Sequence, residues 1–191
     1  IQKIAEDVYA DLSNLNVHSA KGHQLQSGIT IMDPYTGNIV GMVGAMGPKT
    51  QNLVDNYAVQ KHQVGSSIKP LTVYAPAIDL GASPASIAYN MPVPISGWKD
   101  SSGKDSWPKN YGGGGYKGPQ SFRSALRNSY NTAAAQILMT YVGVSRSVEY
   151  LHLMGIPDKN INADPFGLAL GSSGLTPVQM AVAFGTIANK G

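Results

Sequence analysis

Hydrophobic positions at the start of the chain recur with the period of a helix. In I-Q-K-I-A-E-D-V-Y-A-D-L-S-N-L, residues Ile1, Ile4, Ala5, Val8, Leu12 and Leu15 share one face with charges opposite, which predicts an amphipathic helix. From Leu25 the pattern shortens to two β-rich runs, L-Q-S-G-I-T-I-M and I-V-G-M-V-G-A, on either side of D-P-Y-T-G-N. Asp33, Pro34, Gly37 and Asn38 supply the fixed and positive φ angles of a tight turn, so the two runs predict an antiparallel hairpin. Gly41 and Gly44 within it leave room for something to pack closely on the sheet.

Helical spacing returns from Ser66 to about Leu80, where Ile68, Leu71, Val73, Tyr74 and Ala77 can be buried. Pro70 is tolerated there only in or just beyond the first turn, which puts Ser66 near the helix N-terminus. Residues 81–120 read as a long irregular stretch with W-P-K-N-Y and a glycine run at 112–115, a segment of the kind that lines clefts. After Pro119 come Q-S-F-R-S-A-L-R-N, a break at S-Y-N, then T-A-A-A-Q-I-L-M-T-Y-V to Gly143, and V-S-R-S-V-E-Y-L-H-L-M to Gly155. All three runs predict helices. L-T-P-V-Q-M starts a last helix with Thr176 as N-cap, Pro177 at the first position, Gln179 closing a capping box, and Leu175 with Met180 as a staple. A hairpin followed by helices, with no closing strands, predicts a mixed α+β fold whose sheet is incomplete in this chain.

Composition narrows the chemistry. The 191 residues suffice for one core of ordinary size, so residues 1–191 are expected to form one domain or most of one. A net charge of +3 with 13% charged residues leaves no basic stripe for nucleic acid. The absence of cysteine excludes disulfides, thiolate nucleophiles and zinc-thiolate sites. No apolar run reaches the roughly 20 residues of a membrane span, so any anchor is expected outside this chain. His18, His23, His62 and His152 lack metal-ligand spacing, and His152, on an apolar helix face, reads as a packed core residue rather than a ligand. Trp98, Trp107, Tyr111 and Tyr116 read first as core or loop packing.

The S-x-x-K tetrads of the chain include Ser66 to Lys69 and Ser101 to Lys104. On a helix, positions i and i+3 face the same way, so Lys69 can hold its amine near the Ser66 hydroxyl; in a loop the spacing guarantees nothing. A serine becomes a nucleophile when a base removes its proton, and a lysine acts as that base when desolvation lowers its pKa. Lys69, between Ile68 and Pro70, is placed for desolvation, and the Ser66 backbone N–H at a helix N-terminus is a candidate oxyanion donor. The bland alternative is a polar helix start with a solvated lysine. S-Y-N at Ser129 to Asn131 is the sole S-x-N of the chain. There Ser129 can relay a proton and the Asn131 amide can hold a substrate amide, or both can simply cap a helix junction.

S-x-x-K followed by S-x-N is part of the signature of penicillin-recognising serine enzymes. With D-P-Y-T-G-N-I-V-G-M-V-G, G-S-S-I-K-P-L, W-P-K-N-Y, Y-K-G-P, R-S-A-L-R-N-S-Y-N-T-A-A, and A-L-G through T-P-V-Q-M-A-V-A-F-G-T-I-A-N-K-G, the chain resembles the transpeptidase domain of a class A, bifunctional penicillin-binding protein along nearly its whole length. The resemblance implies the penicillin-binding-protein/β-lactamase-like fold, an antiparallel sheet flanked by helices. It implies peptidoglycan stem peptides ending in D-Ala-D-Ala as substrate, Ser66 as acylated nucleophile, Lys69 as base, Ser129 as proton relay, Asn131 as substrate holder, and β-lactams as acylating inhibitors. It also implies that no metal or organic cofactor takes part, and that the protein acts at the extracytoplasmic face of the bacterial membrane.

The family's third motif, Lys-Thr/Ser-Gly, does not occur after Asn131. The expectation is therefore an N-terminal portion of the domain, completed by a second polypeptide. Three rivals share the fold. A β-lactamase needs a carboxylate to activate water, and the glutamates are Glu6 and Glu149, the latter expected on a solvated helix face. A D,D-carboxypeptidase would hydrolyse the same acyl-enzyme. A β-lactam sensor or wall-binding scaffold would acylate and stop, or not acylate.

Overall fold

The computed structural model describes residues 1–14, 21–22, 25–51, 54–113 and 115–191; Leu15, His18, His23 and Gly114 lie outside the described residues. The chain separates into two compact units, residues 1–62 with 175–191, and residues 63–174.

In the first unit, β1 (Ile29–Met32) pairs antiparallel with β2 (Ile39–Val43). The turn forms as its residues dictate: Asp33 accepts from the Tyr35 N–H at 2.9 Å and the Thr36 hydroxyl at 2.9 Å, and Gly37 takes φ +73°. Gly41 and Gly44 do meet close neighbours; a Cβ on Gly44 would lie 2.7 Å from the Asn56 side chain. Helix α7 (Pro177–Ala188) packs on β1 and begins with the reciprocal Thr176–Gln179 capping box.

Helix α1 (Gln2–Ala10) departs from the expected face. Its buried residues are Ala5 and Tyr9, whereas Ile1 and Ile4 are 65% and 68% exposed and Val8 and Leu12 are also exposed. The cause is Gln2. Its amide donates to the Met42 carbonyl at 2.9 Å and accepts the Met42 N–H at 2.7 Å, so it satisfies the outer edge of β2 and turns the stripe Gln2, Ala5, Tyr9 inward.

The second unit is a cluster of helices carrying two β-ribbons. Its first helical segment runs as a 3₁₀ turn (Gly65–Ile68), a π turn (Pro70–Tyr74) and α2 (Ala75–Asp79). Two prolines explain the irregular winding, because Pro70 and Pro76 have no N–H for the preceding turns. Pro76 leaves the Thr72 carbonyl without its usual helical donor, and the buried Ser147 hydroxyl fills that place at 2.8 Å. Ile68, Leu71, Val73, Tyr74 and Ala77 are buried as the spacing predicts, each large side chain contributing about 1.5–3 kcal/mol. Then follow α3 (Phe122–Arg127), α4 (Asn131–Ile137, continued by a π turn Leu138–Val142), α5 (Val144–Leu153) and α6 (Pro165–Leu170). Ala133, Ala134 and Ala135 are fully buried, so α4 sits at the centre, where small side chains let its neighbours approach closely.

Residues 81–120 are more regular than expected. Ile87–Asn90 pairs with Gly118–Ser121, and Ile95–Lys99 with Asp105–Ser106. The ribbons are too short for a periodic signal, and the first is closed by chain 28 residues distant. Trp98 is core and Trp107 donates its indole N–H to the Tyr116 hydroxyl at 3.0 Å, whereas Tyr111 is exposed. His152 also departs from expectation: it is exposed and pairs with Asp158 at 2.6 Å, because α5 turns Leu151 inward instead.

Candidate functional site

All four residues singled out from the two motifs lie in the second unit. Ser66 is exposed and follows Gly65, whose φ is +54°. Gly65 is fixed from behind by Gly171, the left-handed residue that ends α6. The Gly65 N–H donates to the Gly171 carbonyl at 3.0 Å, and a Cβ on Gly171 would collide with the Gly65 backbone. The seat of Ser66 is thus set by a contact between two glycines 106 positions apart. Thr72 ties the same helix ends together, its hydroxyl lying 2.9 Å from the Ile68 carbonyl and 2.6 Å from that of Leu168.

Lys69 is 1% exposed, so the solvated-lysine alternative fails. Its amine donates to the Ser129 carbonyl at 2.8 Å, the Ser129 hydroxyl at 3.0 Å and Asn131 Oδ1 at 2.6 Å. Those three bonds use all three protons of an ammonium. No carboxylate pairs with it; the ion pairs among the described residues involve Lys3, Lys99, Arg146 and His152. With no anion paired to it, the buried amine has its pKa pulled by desolvation from the ordinary 10.5 to about 8. About one such amine in ten is neutral at pH 7.

The S-x-N turn is built to present these acceptors. Helix α3 closes with the Tyr130 N–H on the Ala125 carbonyl (3.1 Å) and the Ser129 N–H on the Leu126 carbonyl (3.0 Å), a Schellman motif with Ser129 in the left-handed position. Ser129 has φ +53°, a conformation glycine adopts freely and that costs serine about 1–2 kcal/mol. It aims both the carbonyl and the hydroxyl of Ser129 at Lys69. Asn131, the first residue of α4, accepts from Lys69 and donates its Nδ2 to the Lys109 carbonyl at 2.8 Å. Its amide is thus oriented, with one N–H and one lone pair left over. Neither side chain serves as a helix cap, the bland reading of the motif.

The tetrad Ser101 to Lys104 is a surface turn. Ser101 and Lys104 are exposed, and Asp100 accepts the Ser102 and Lys104 N–H groups at 2.8 and 3.1 Å. Glu149 is exposed and pairs with Arg146, and Glu6 is exposed and accepts from Gln2. Three residues that sequence reasoning passed over also build the site: Gly171, Asn90 and Asn110. The asparagine pair connects the W-P-K-N segment to Asn131 through Asn110 Oδ1, which accepts the Asn131 backbone N–H at 2.9 Å. Gly171 had a legible signal, Asp164 and Pro165 opening a short helix that a glycine closes.

The family model for the penicillin binding protein transpeptidase domain matches residues 27–191. Penicillin-binding protein 1A of Escherichia coli is 36% identical over 168 residues, covering 88% of this chain and 19% of the relative. Penicillin-binding protein 1A of Clostridium perfringens is 35% identical over 161 residues, covering 82% of this chain and 23% of the relative. The chain spans about a fifth of the length of these relatives. The crystal structure of penicillin-binding protein 1A from Haemophilus influenzae superposes with a TM-score of 0.72 at 31% identity, over 88% of this chain and 25% of that one. Penicillin-binding protein PonA1 from Mycobacterium tuberculosis shares the fold, with a TM-score of 0.73 at 20% identity, over 98% of this chain and 47% of that one. With its mixed α+β fold and its two motifs in the family's order, the chain belongs to the penicillin-binding protein transpeptidase domain family.

Proposed function

We propose that this chain carries the nucleophile-bearing part of a peptidoglycan D,D-transpeptidase, acting on stem peptides that end in D-Ala-D-Ala. The observation that supports the reading best is the Lys69 amine: buried, without an anionic partner, and held on both polar residues of S-x-N. A lysine kept for structure is favoured by a carboxylate; a lysine kept as a base is favoured by its absence.

In the proposed reaction, neutral Lys69 takes the proton of the Ser66 hydroxyl as Oγ attacks the carbonyl of the penultimate D-Ala. The Ser66 backbone N–H stabilises the oxyanion. As the tetrahedral intermediate collapses, the bond to the terminal D-Ala nitrogen breaks and Ser129 passes the proton onto that nitrogen. This leaves a Ser66 ester and free D-Ala. The amine of a neighbouring stem peptide then attacks the ester, forming the cross-linking amide and restoring the Ser66 hydroxyl. The spare N–H and lone pair of Asn131 serve a substrate amide. A β-lactam acylates Ser66 by the same first step, and its opened ring keeps the leaving nitrogen attached.

Residues 1–191 are read as part of one transpeptidase domain at the extracytoplasmic face of the bacterial membrane, completed by a second polypeptide with the Lys-Thr/Ser-Gly motif. Supporting this are the outward stripe of Ile1, Ile4 and Val8 on α1 and the pairing of β1, among the described residues, with β2 alone. No helix among the described residues is long and apolar enough to cross a membrane.

The test is labelling of the full-length protein with a fluorescent penicillin, followed by a cross-linking assay on lipid-linked glycan. Label at Ser66 together with cross-linked product is expected. Label with D-Ala release but no cross-link would favour a carboxypeptidase, and label without any peptide product a sensor.

A further inference from the structure

Behind Asn131 lies a second layer of amides. Asn90, 0% exposed at the end of the strand Ile87–Asn90, accepts at one oxygen from the Thr132 hydroxyl (2.6 Å) and from Asn110 Nδ2 (2.7 Å). Asn110 in turn caps α4 from a distance, its oxygen taking the Asn131 backbone N–H that the helix start leaves without a partner. Lys109, next in the chain, receives the Asn131 side-chain amide. Residues 131 and 132 are therefore held at three points by one loop and one strand end.

The choice of amides has a visible cost. Asn90 Nδ2 is buried with no hydrogen-bond partner, a defect worth about 1–3 kcal/mol. Aspartate at 90 would accept the same two donors at one oxygen but would leave its second oxygen buried and without a donor where Nδ2 now lies. What the acid would add is a negative charge close behind the Lys69 acceptors, in a buried setting where charges interact strongly.

We propose that Asn110, seated on Asn90, is the positioning residue of the site: it holds the Asn131 amide against the Lys69 amine, and both are amides because that amine must have no anionic neighbour. The inference rests on the acyl-enzyme reading above. On the segments that meet Lys69, the titratable side chains are Lys109 and Tyr111 in the loop, Arg127 and Tyr130 beside the S-x-N turn, and Asp164 at the start of α6. None of them hydrogen-bonds the amine; Asp164 is spent on the Gly167 N–H at 2.7 Å.

The experiment is the second-order rate of acylation by a fluorescent penicillin between pH 6 and 9.5 in the full-length protein, for wild type, Asn110→Asp, Asn90→Asp and Asn110→Ala. In Asn110→Asp the new carboxylate still accepts the Asn131 N–H, and Asn90 can turn its free N–H toward it, so the shape is retained. Its rate should rise about one pH unit later than that of wild type and be roughly tenfold lower at pH 7. Asn90→Asp should shift the profile in the same direction, and covers the case in which the first variant does not fold, as judged by thermal melting. Asn110→Ala should slow acylation roughly tenfold without that shift. Wild-type profiles in both aspartate variants would overturn this inference alone. A wild-type protein that takes up no label would overturn the acyl-enzyme reading and this inference with it.

Discussion

Two tetrads with the same spelling occupy opposite environments. Ser66 to Lys69 begins a buried helix whose lysine is 1% exposed and bonded to Ser129 and Asn131. Ser101 to Lys104 forms the tip of a two-stranded ribbon, where Asp100 caps the turn and both side chains face solvent. Spacing is shared; desolvation and partners are not. The second lysine faces water, whereas the first is held where its charge is disfavoured. Chemistry at S-x-x-K thus depends on what surrounds the lysine, and the two copies serve as internal controls for each other.

The largest contrast lies in the serines. Ser66→Ala should abolish penicillin labelling, and Ser101→Ala should leave it at the wild-type level, both read by in-gel fluorescence of the full-length protein. Loss of label on Ser101→Ala would assign the nucleophile to the other copy. The lysines should differ almost as much. Lys69→Met is expected to slow acylation by about 10²–10⁴-fold, the usual contribution of a general base, and Lys104→Met to leave the stopped-flow rate unchanged.

Stability carries the same contrast with a definite sign. Burial holds the Lys69 pKa at about 8 against the ordinary 10.5, so between these values the unfolded chain binds the extra proton and stability rises with pH. Over that interval wild type should gain up to about 3 kcal/mol relative to Lys69→Met in denaturant titrations. A smaller effect belongs to the glycines behind each tetrad. Gly171→Ala meets the Gly65 backbone and should destabilise by about 1–3 kcal/mol while slowing acylation. Gly103→Ala, with φ +80° and open space around it, should cost about 1 kcal/mol and leave acylation unaffected.

Much of this was legible where the cause is local. The hairpin turn at Asp33–Asn38 and the capping box at Thr176 follow from neighbours two to four residues away, and both formed as read. Ser66, Lys69, Ser129 and Asn131 were singled out because two short motifs combine; the structure brings Lys69, Ser129 and Asn131 into hydrogen-bond contact, and among the described residues the Ser66 hydroxyl is outside that set of bonds. The face of α1 was not legible, since one glutamine binding the edge of β2 outweighs the pull of Ile1 and Ile4 toward burial. Asn90 and Asn110 were invisible for a related reason. Their partners lie 20 to 42 positions away, and an asparagine in a polar loop looks like any turn former.

The central claim is that burial makes Lys69 the base that activates Ser66. The most direct measurement is the wild-type acylation rate against pH. The account predicts a rise through about pH 8 that vanishes in Lys69→Met and persists in Lys104→Met. A rate flat from pH 6 to 9.5, or a rise that survives the loss of the Lys69 amine, would contradict it.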